Sequence, residues 1–339
     1  MSTLARVVIV TGIKPIEGAD RIELAEILGW QVVVKKGEHN VGEKCIYVNI
    51  GVKLDKENKH FAFLEGKRIK TQKIRKAISQ GIIFPMSILS DFGMDPATCN
   101  EGDDLTALLK AEKWVPDEEL STYDTSDPDK TRLPFPQMIP KTDEDRVQNV
   151  VAQLIKLVGL LIVITQKFDG TSTTFAFIGN VFMICGRNFW LLKETISSKH
   201  YFEIAQRYGL EEKMKKLGRN LAIQGEIIGP KINGNRHNVI ENEFYVFNIY
   251  DVDAQQYLTW DEIKAIAIEL GLKTVACVYQ GPMKEEWLDS KNLLQLADEQ
   301  TYSKGVIAEG IVIKTDSRTY PSRFSCKAIS NKYILKYDL

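Results

Sequence analysis

Lys167 and the acids, aromatics and lysines that follow it in the chain could together perform phosphoryl-transfer chemistry. Lys167 belongs to the stretch 165–170, which directly follows a short apolar run at 160–164 and ends in Asp169 and Gly170. An amine attacks phosphorus only as the free base, so a nucleophilic lysine needs a pKa lowered by burial or by nearby cations. The end of a buried strand could provide that. The alternative is a solvated strand-end lysine beside an ordinary Asp-Gly turn.

Later segments supply the other groups that this chemistry requires. Attack by an amine on the α-phosphorus of a nucleoside triphosphate needs a metal ion for the leaving pyrophosphate and carboxylates to place that ion. It also needs cations on the phosphate and an aromatic face for the base. Each role has a candidate on or at the end of a predicted strand: Glu226, Phe247, Glu309, Lys314 and Lys327. Taken singly, each has an ordinary structural explanation as a strand-end acid, a core aromatic or an exposed lysine. Their order along one chain favours the chemistry.

The elements that must position these residues follow from hydrophobic patterning. β-branched and aromatic runs predict strands, and a Thr259–Glu262 capping box predicts a helix over 260–270. A second helix is expected over 200–216. A third is expected over 141–149, where Thr142 would cap a first turn rich in acids. The predicted domain is α+β, with antiparallel sheets and flanking helices. Its predicted strands cover residues 160–164, 174–178, 181–185, 221–226, 244–250, 310–314 and 325–329.

The first hundred or so residues predict a different kind of domain. Short apolar strands at 7–10, 22–27, 31–34 and 45–50 are separated by Gly- and Pro-containing turns, a spacing typical of a small β-barrel. The run 67–76 carries six cations and no acid. As a strand it would place part of this charge on one face, where Lys70, Lys73 and Arg75 could contact an RNA backbone; the alternative is a solvated face.

Composition sets limits on the rest. The chain has 339 residues and a net charge of −1, so any nucleic-acid site must be a local patch. Its five dispersed cysteines and four histidines indicate neither a disulfide framework nor a zinc site. With no apolar run of membrane-spanning length and no secretory signal, we expect a soluble intracellular protein, cytoplasmic or nuclear. The expected domains are 1–112, an acidic and Pro-rich linker at 113–140, and 141–339.

Two family resemblances add to these expectations. The segments 15–23, 29–34 and 79–81 resemble an OB-fold of the tRNA-binding type, which implies an oligonucleotide-binding barrel. The second half of the chain resembles the covalent nucleotidyltransferase superfamily of ATP-dependent polynucleotide ligases and mRNA capping enzymes. The matching motifs, in the family's order, are 167–170, 224–226, 247–251, 309–314 and the segment around Lys327.

The superfamily resemblance implies a role for each residue. Lys167 would attack ATP to form lysyl-AMP, AMP would pass to a 5′-phosphate end, and a 3′-hydroxyl would displace AMP to seal the strand. Mg²⁺ or Mn²⁺ would be held by Glu309, Glu226 and Asp169. The implied ATP-binding residues are Gln166, Arg187, Glu226, Phe247, Lys314, Lys327 and Arg146.

Departures from the superfamily pattern indicate which of its members this chain resembles most. Ser172 stands where DNA ligases have arginine, and serine cannot make a bidentate phosphate contact. The OB-like domain precedes the motifs, whereas DNA ligases and capping enzymes place it after them. This order, and the segment 141–149, resemble the RNA ligases of the Naegleria and Deinococcus type. Gln166 and Ser325 replace a glutamate and a lysine found in many relatives, so adenine recognition and the charge around Lys327 are expected to differ here.

The predicted function is therefore an ATP-dependent RNA ligase for RNA repair or sealing. Its partner would be RNA with 3′-OH and 5′-phosphate ends, and the sequence leaves open a nicked duplex, an RNA/DNA hybrid, a single-stranded break and a tRNA-like hairpin. The alternatives are a DNA ligase, a capping-type nucleotidyltransferase, or a non-catalytic RNA-binding protein. A non-catalytic protein would have no physical reason to keep the acids and lysines of the motif set in place.

Overall fold

The computed structural model describes residues 3–115, 130–316 and 323–337. The chain divides into two compact units, Met1–Leu120 with Ile334–Leu339, and Ser121–Tyr333. No helix in the described ranges is long and apolar enough to cross a bilayer.

The first unit is built from short antiparallel strands. Its ladders run in the orders β1-β5-β9, β2-β3-β4, β6-β10 and β7-β8. Strands β1 and β5 are buried on both faces, because Val7 and Ile46 enter one apolar cluster while Val8 and Tyr47 enter another. The strands are β1 Ala5–Ile9, β2 Gly12–Pro15, β3 Ile22–Ile27, β4 Trp30–Lys35, β5 Lys44–Val48, β6 Val52–Lys53, β7 Gln72–Ile74, β8 Ala77–Ser79, β9 Ile82–Pro85 and β10 Glu112–Lys113.

The basic run at 67–76 is not one continuous strand, the condition under which its charge would fall on one face. Only Gln72–Ile74 is extended, and it pairs with Ala77–Ser79 in a tight hairpin. Arg75 and Lys76 form the turn, both with positive φ. Lys70, Lys73 and Arg75 are all exposed. Lys73 Nζ donates to the carbonyl oxygen of Leu335 at 3.1 Å, and Arg75 Nη1 donates to the carbonyl oxygen of Gly18.

The second unit contains two sheets. The larger runs β11-β16-β15-β14-β17-β18-β19 with β20 beside β18, and the smaller runs β12-β23-β22-β13-β21. All pairs are antiparallel except β12 with β23 and β18 with β20. The strands are β11 Arg132–Pro134, β12 Asp145–Arg146, β13 Leu161–Lys167, β14 Thr171–Ile178, β15 Val181–Cys185, β16 Phe189–Leu191, β17 Leu221–Ile228, β18 Glu243–Asp251, β19 Gln256–Tyr257, β20 Lys273–Thr274, β21 Cys277–Pro282, β22 Gly310–Thr315 and β23 Ser325–Ile329.

Helices cover one face of each sheet. Helices α2 to α4 pack on the larger sheet through a core that includes Phe175, Phe244 and Trp260, and α5 packs on the smaller one through Leu293 and Ala297. The Thr259–Glu262 capping box forms as predicted, but the helix expected over 200–216 is broken at Gly209, which is left-handed at φ +60°. The helices are α1 Val151–Leu154, α2 Lys199–Tyr208, α3 Leu210–Leu217, α4 Trp260–Leu270, α5 Ser290–Asp298 and α6 Asn331–Tyr337.

The segment before β13 corrects the prediction of a helix over 141–149. Residues 141–149 do not open a helix: 141–144 are irregular, Asp145–Arg146 pairs with β23, and a 3₁₀ turn spans Val147–Asn149. Tertiary pairing to β23 overrides the local capping signal. The expected linker lies outside the described residues over 116–129. In its described part, 130–140, β11 joins the larger sheet and Phe135 and Ile139 are buried against that sheet.

Candidate active site

The alternation of three neighbouring strands places the predicted lysines on one face of the smaller sheet. Ile164 of β13, Ile313 of β22 and Cys326 of β23 enter the core beneath that sheet. Residues of the opposite parity therefore share the other face. This face carries Lys167, Lys314 and Lys327, with Lys167 opposite Gly310, Lys314 opposite Ser325, and Arg146 beside Lys327.

Lys167 is the last residue of β13 and forms an ion pair with Glu309. Its Nζ donates to Glu309 Oε2 at 2.6 Å, and neither side chain is more than a quarter exposed. Burial alone would lower the pKa of Lys167, but the carboxylates of Glu309, Glu226 and Glu144 raise it above its ordinary value. The free protein therefore does not have the lowered lysine pKa that a strand-end nucleophile would need. The fold removes water from the amine but also places three carboxylates near it.

Two glycines allow the strands around this pair to approach closely. A Cβ on Gly170 would lie 2.3 Å from the carbonyl oxygen of Ile227, and one on Gly310 would lie 2.1 Å from that of Ala328. Both distances are far inside van der Waals contact. A side chain at Gly170 would push β14 away from β17, and one at Gly310 would push β22 away from β23.

Glu226 lies on β17, across from Ser172 of β14. Its Oε1 accepts a hydrogen bond from the main-chain N–H of Gly170 at 3.1 Å. Burial raises the pKa of Glu226 to about 8, with Glu309 and Asp169 adding to the effect and Lys167 opposing it. A carboxylate held in this way gains stability from a cation brought beside it.

Asp169 does not point freely toward a metal ion. Its Oδ2 accepts hydrogen bonds from Arg236 and from the hydroxyl of Tyr333, and its Oδ1 accepts one from Asn233 Nδ2 at 2.7 Å. Arg236 Nη1 also donates to the Tyr333 hydroxyl at 2.7 Å. The carboxylate therefore anchors the loop between β17 and β18 to the turn after Lys167.

Lys327 and Arg146 form a cationic pair of neighbours near the nucleophile. Burial lowers the pKa of Lys327 to about 8, and the charges of Lys167 and Arg146 contribute to the same direction. Glu144 opposes this shift. Cations crowded at a partly buried position favour binding of an anionic phosphate.

Lys314 is buried deeper in the same face. Its Nζ donates to the carbonyl oxygen of Phe247 at 2.7 Å and to Asn248 Oδ1 at 3.2 Å. Burial lowers the pKa of Lys314 to about 7, with Arg323 contributing. Phe247 is half-buried on β18, beside the register shift in that strand's pairing with β17. The structure thus ties the predicted aromatic platform to the predicted phosphate-binding lysine.

Gln166 and Arg187 are the other predicted ATP-binding residues, and both bind protein groups outside the set of lysines described above. Gln166 Nε2 donates to the carbonyl oxygen of Thr301 at 3.0 Å. Arg187 lies in the turn after β15, largely exposed, with Nη2 2.6 Å from Asp143 Oδ1. Both are committed to protein partners.

Sequence reasoning missed three side chains that hold this site together. The sequence predicts Glu144 in the acidic first turn of a helix, but its carboxylate accepts from Ser325 Oγ at 3.3 Å and lies 3.9 Å from Arg323. The Tyr302 hydroxyl and Arg236 bind the turn around Lys167. Arg236 and Tyr302 stand outside every motif, and Glu144 lies in the 141–149 segment but contacts residues far along the chain. Local sequence patterning does not reveal these long-range contacts.

The donor set fits a divalent cation held largely through substrate phosphate and water. No group of three acidic, histidine or cysteine side chains in the described ranges could by itself hold a metal ion. Glu309 and Glu226 remain as neighbouring carboxylates around Lys167. One or two carboxylates together with phosphate oxygens are the usual environment of Mg²⁺.

Comparison with known proteins gives two family matches and a set of similar structures. The RNA ligase family model matches residues 161–337, and an OB-fold domain model matches residues 4–86. No curated protein sequence gives a significant match.

Solved structures of Naegleria gruberi RNA ligase are similar over the full chain. An apo form of one mutant is 33% identical with a TM-score of 0.79, covering 100% of this chain and 99% of its own. A mutant with ATP and Mn is 33% identical with a TM-score of 0.79, covering 99% and 100%. The form with PPi is 33% identical, also with a TM-score of 0.79, and covers 100% and 99%.

Proposed function

The chain belongs to the RNA ligase family and is an ATP-dependent RNA ligase, and we propose that it joins 3′-OH and 5′-phosphate ends through a lysyl-AMP on Lys167. The family match and the match of the first unit to an OB-fold domain confirm the fold and the activity predicted from the motifs. ATP is the substrate, with a divalent metal ion. The single observation that carries the assignment of the nucleophile is the Lys167–Glu309 pair on a sheet face that also presents Lys327.

In the first step the free amine of Lys167 would attack the α-phosphorus of ATP. A P–N bond forms and the bond to pyrophosphate breaks. Glu309 holds the amino group in place but also keeps it protonated, since the carboxylates raise the pKa of Lys167. A divalent cation at Glu309 and Glu226 would neutralise those carboxylates and the leaving pyrophosphate. Lys327 and Arg146, on the same face, would bind phosphate oxygens.

In the second step the 5′-phosphate of RNA would displace the lysine and take the adenylate. In the third, the 3′-hydroxyl would attack the adenylylated end and release AMP. Phe247 would stack on adenine, while the half-buried Gln166 would lie at the edge of the base pocket. Arg187 would bind ribose or the nucleic-acid end.

The first unit would bind the RNA strand beside the break. We infer a contact to phosphates from Lys70, Lys73 and Arg75, because all three are exposed on one hairpin and its approach. The functional domains would be the OB-like domain at 1–112 and the ligase domain at 141–339. Free thiols at all five cysteines suit a reducing compartment, cytoplasm or nucleus.

Labelling with α-labelled ATP and metal tests the nucleophile. Wild type becomes labelled, and Lys167→Ala should not, because the substitution removes the proposed nucleophilic amine. Lys156→Ala, an exposed lysine of the same unit, is the matched control and should label like wild type. Labelling of Lys167→Ala would contradict the role of Lys167.

A sealing panel tests the substrate. Nicked RNA duplex, nicked DNA duplex, hybrids with RNA on either side of the nick, and single-stranded RNA are compared with ATP at equal ionic strength. We expect sealing when the 3′-OH side is RNA and the other end carries a 5′-phosphate. Equal sealing of all-DNA nicks would indicate a DNA ligase instead.

A further inference from the structure

Tyr302 lies in the loop between α5 and β22, outside every motif discussed so far. The loop closes on itself, with Tyr302 N–H donating to the carbonyl oxygen of Val306 at 2.7 Å and Ala308 N–H to that of Gln300 at 3.0 Å. The tyrosine is 4% exposed. Its ring stacks on His237 at a centroid distance of 3.8 Å and meets Phe168 edge-on at 5.4 Å. The ring is therefore fixed between two other elements of the unit.

The hydroxyl of Tyr302 uses its full bonding capacity on the main chain around the nucleophile. It donates to the carbonyl oxygen of Lys167 at 2.6 Å, and it accepts from the N–H of Asp169 at 3.1 Å and from the N–H of Glu309 at 3.0 Å. One O–H and two lone pairs are all that a phenol offers. The same oxygen thus joins the main chain on both sides of Phe168 to the residue that pairs with the lysine.

We propose that Tyr302 is a positioning residue for the nucleophile, and this rests on the role of Lys167 proposed above. The Tyr302 hydroxyl is bonded to the main chain of both Lys167 and Glu309, so it fixes the distance between the backbone positions from which the two side chains extend. The hydroxyl touches neither the amino group nor a predicted ATP-binding side chain, so it acts on the alignment of the amine and not on ATP affinity. A displacement of about 1 Å in a reacting group can cost on the order of 100-fold in rate.

Replacement by phenylalanine keeps the stacked ring and removes only this oxygen. Two N–H donors and one carbonyl then lose their partner beside the ion pair. The turn from Lys167 to Gly170 would relax away from Glu309, and the amine with it. Chemistry that does not use the lysine would be affected far less.

The test separates the steps of the reaction in full-length Tyr302→Phe. One rate is single-turnover lysine adenylylation with saturating ATP and metal; the other is sealing of RNA that already carries a 5′-adenylate, which needs no lysine nucleophile. We expect adenylylation to fall about 10- to 100-fold and sealing of adenylylated RNA to fall less than about 3-fold. The ATP concentration for half-maximal adenylylation should stay within about twofold of wild type.

Tyr279→Phe is the matched control, because its hydroxyl also donates to a main-chain oxygen, that of Pro282 at 2.8 Å, but on β21. Both of its rates should match wild type. An equal loss of both rates in Tyr302→Phe, unchanged adenylylation, or failure to fold would each overturn the positioning role. Lys167→Ala distinguishes the two proposals: if it still labels, the nucleophile assignment fails, whereas an unlabelled Lys167→Ala with fully active Tyr302→Phe removes only the role of Tyr302.

Discussion

The cations of the β7–β8 hairpin and those of the β13-β22-β23 face were predicted for the same task, binding of phosphate, yet they lie in opposite environments. Lys70, Lys73 and Arg75 are exposed. Lys314 is buried and Lys327 is partly buried, and burial lowers the pKa of both. Exposed charges attract phosphate through water and ions, so their effect is screened by salt. Buried charges act at short range in a medium of lower dielectric constant, where their interaction with a bound phosphate is stronger.

The difference shows what each region can contribute. A surface run of lysines can hold a strand of any sequence near the enzyme but cannot align a reacting atom. The buried lysines destabilise the fold while they are charged and have no anion beside them. The pairing register of their strands fixes their positions. Variants of each set should therefore fail in different assays.

The largest effect is expected for Lys327→Met, which removes the partly buried cation beside Lys167 and Arg146. Adenylylation at saturating ATP should fall by about 100- to 1,000-fold, because a charge aimed at the reacting phosphate is lost from a partly desolvated position. Single-turnover labelling measures it. Lys291→Met, an exposed lysine at the start of α5, should leave the rate unchanged. A loss of less than about threefold in Lys327→Met would show that this face does not bind the reacting phosphate.

An intermediate effect, on stability, is expected for Lys314→Met. The pKa of Lys314 is about 7 in the folded chain and has its ordinary higher value in the unfolded one. Between those values the unfolded chain binds more protons, so the free energy of unfolding of wild type rises with pH across that window. Methionine removes the penalty, and the variant should be more stable by about 1–3 kcal/mol at or below pH 7.

Urea unfolding in metal-free buffer, repeated from pH 6 to pH 9.5, checks this. The advantage of Lys314→Met should shrink steadily as pH rises. Lys215→Met provides the comparison, since Lys215 is an exposed lysine on α3. A stability difference that stays constant with pH would contradict the lowered pKa of Lys314 in the folded chain.

The smallest effect is expected for the triple change of Lys70, Lys73 and Arg75 to alanine. RNA affinity should weaken by less than about tenfold near physiological salt, and the slope of log affinity against log salt should flatten by about 2 to 3. Lysine adenylylation should be unchanged, because no RNA takes part in it. Changing Lys53, Lys56 and Lys110 to alanine removes equal charge from other exposed positions of the unit. An identical loss of slope in that control would leave the hairpin with no special role.

Much of the site could be predicted because its residues lie in short motifs on strands. Alternating burial and β-branched runs predicted β13, β17, β18, β22 and β23, and with them the placement of Lys167, Lys314 and Lys327. The failures share a cause. Residues 141–149 carry a good local helix-capping pattern, and pairing of Arg146 with Lys327 overrides it. Glu144, Arg236 and Tyr302 each bind the site through at least one partner more than 60 positions away, so local patterning could not reveal those contacts.

The pKa of Lys167 could not be predicted for a related reason. A strand end beside an apolar run indicates burial, and burial alone lowers the pKa of a lysine. The pKa of Lys167 is raised instead of lowered, because the fold brings Glu309, Glu226 and Glu144 near it from three other segments. Desolvation can be estimated from the sequence of one strand, whereas the charges around it depend on the complete fold.

The ion pair at the centre of the site also has a consequence for how the chain folds. Lys167 and Glu309 are separated by 142 positions, and Ser325 and Glu144 by 181. Contacts of such range close large loops and form late, after hairpins such as β14–β15. A refolding chain should regain its circular dichroism before it regains adenylylation. The ability to form lysyl-AMP therefore reports that the last stage of folding is complete. A chain arrested earlier would contain hairpins such as β14–β15 without the Lys167–Glu309 pair.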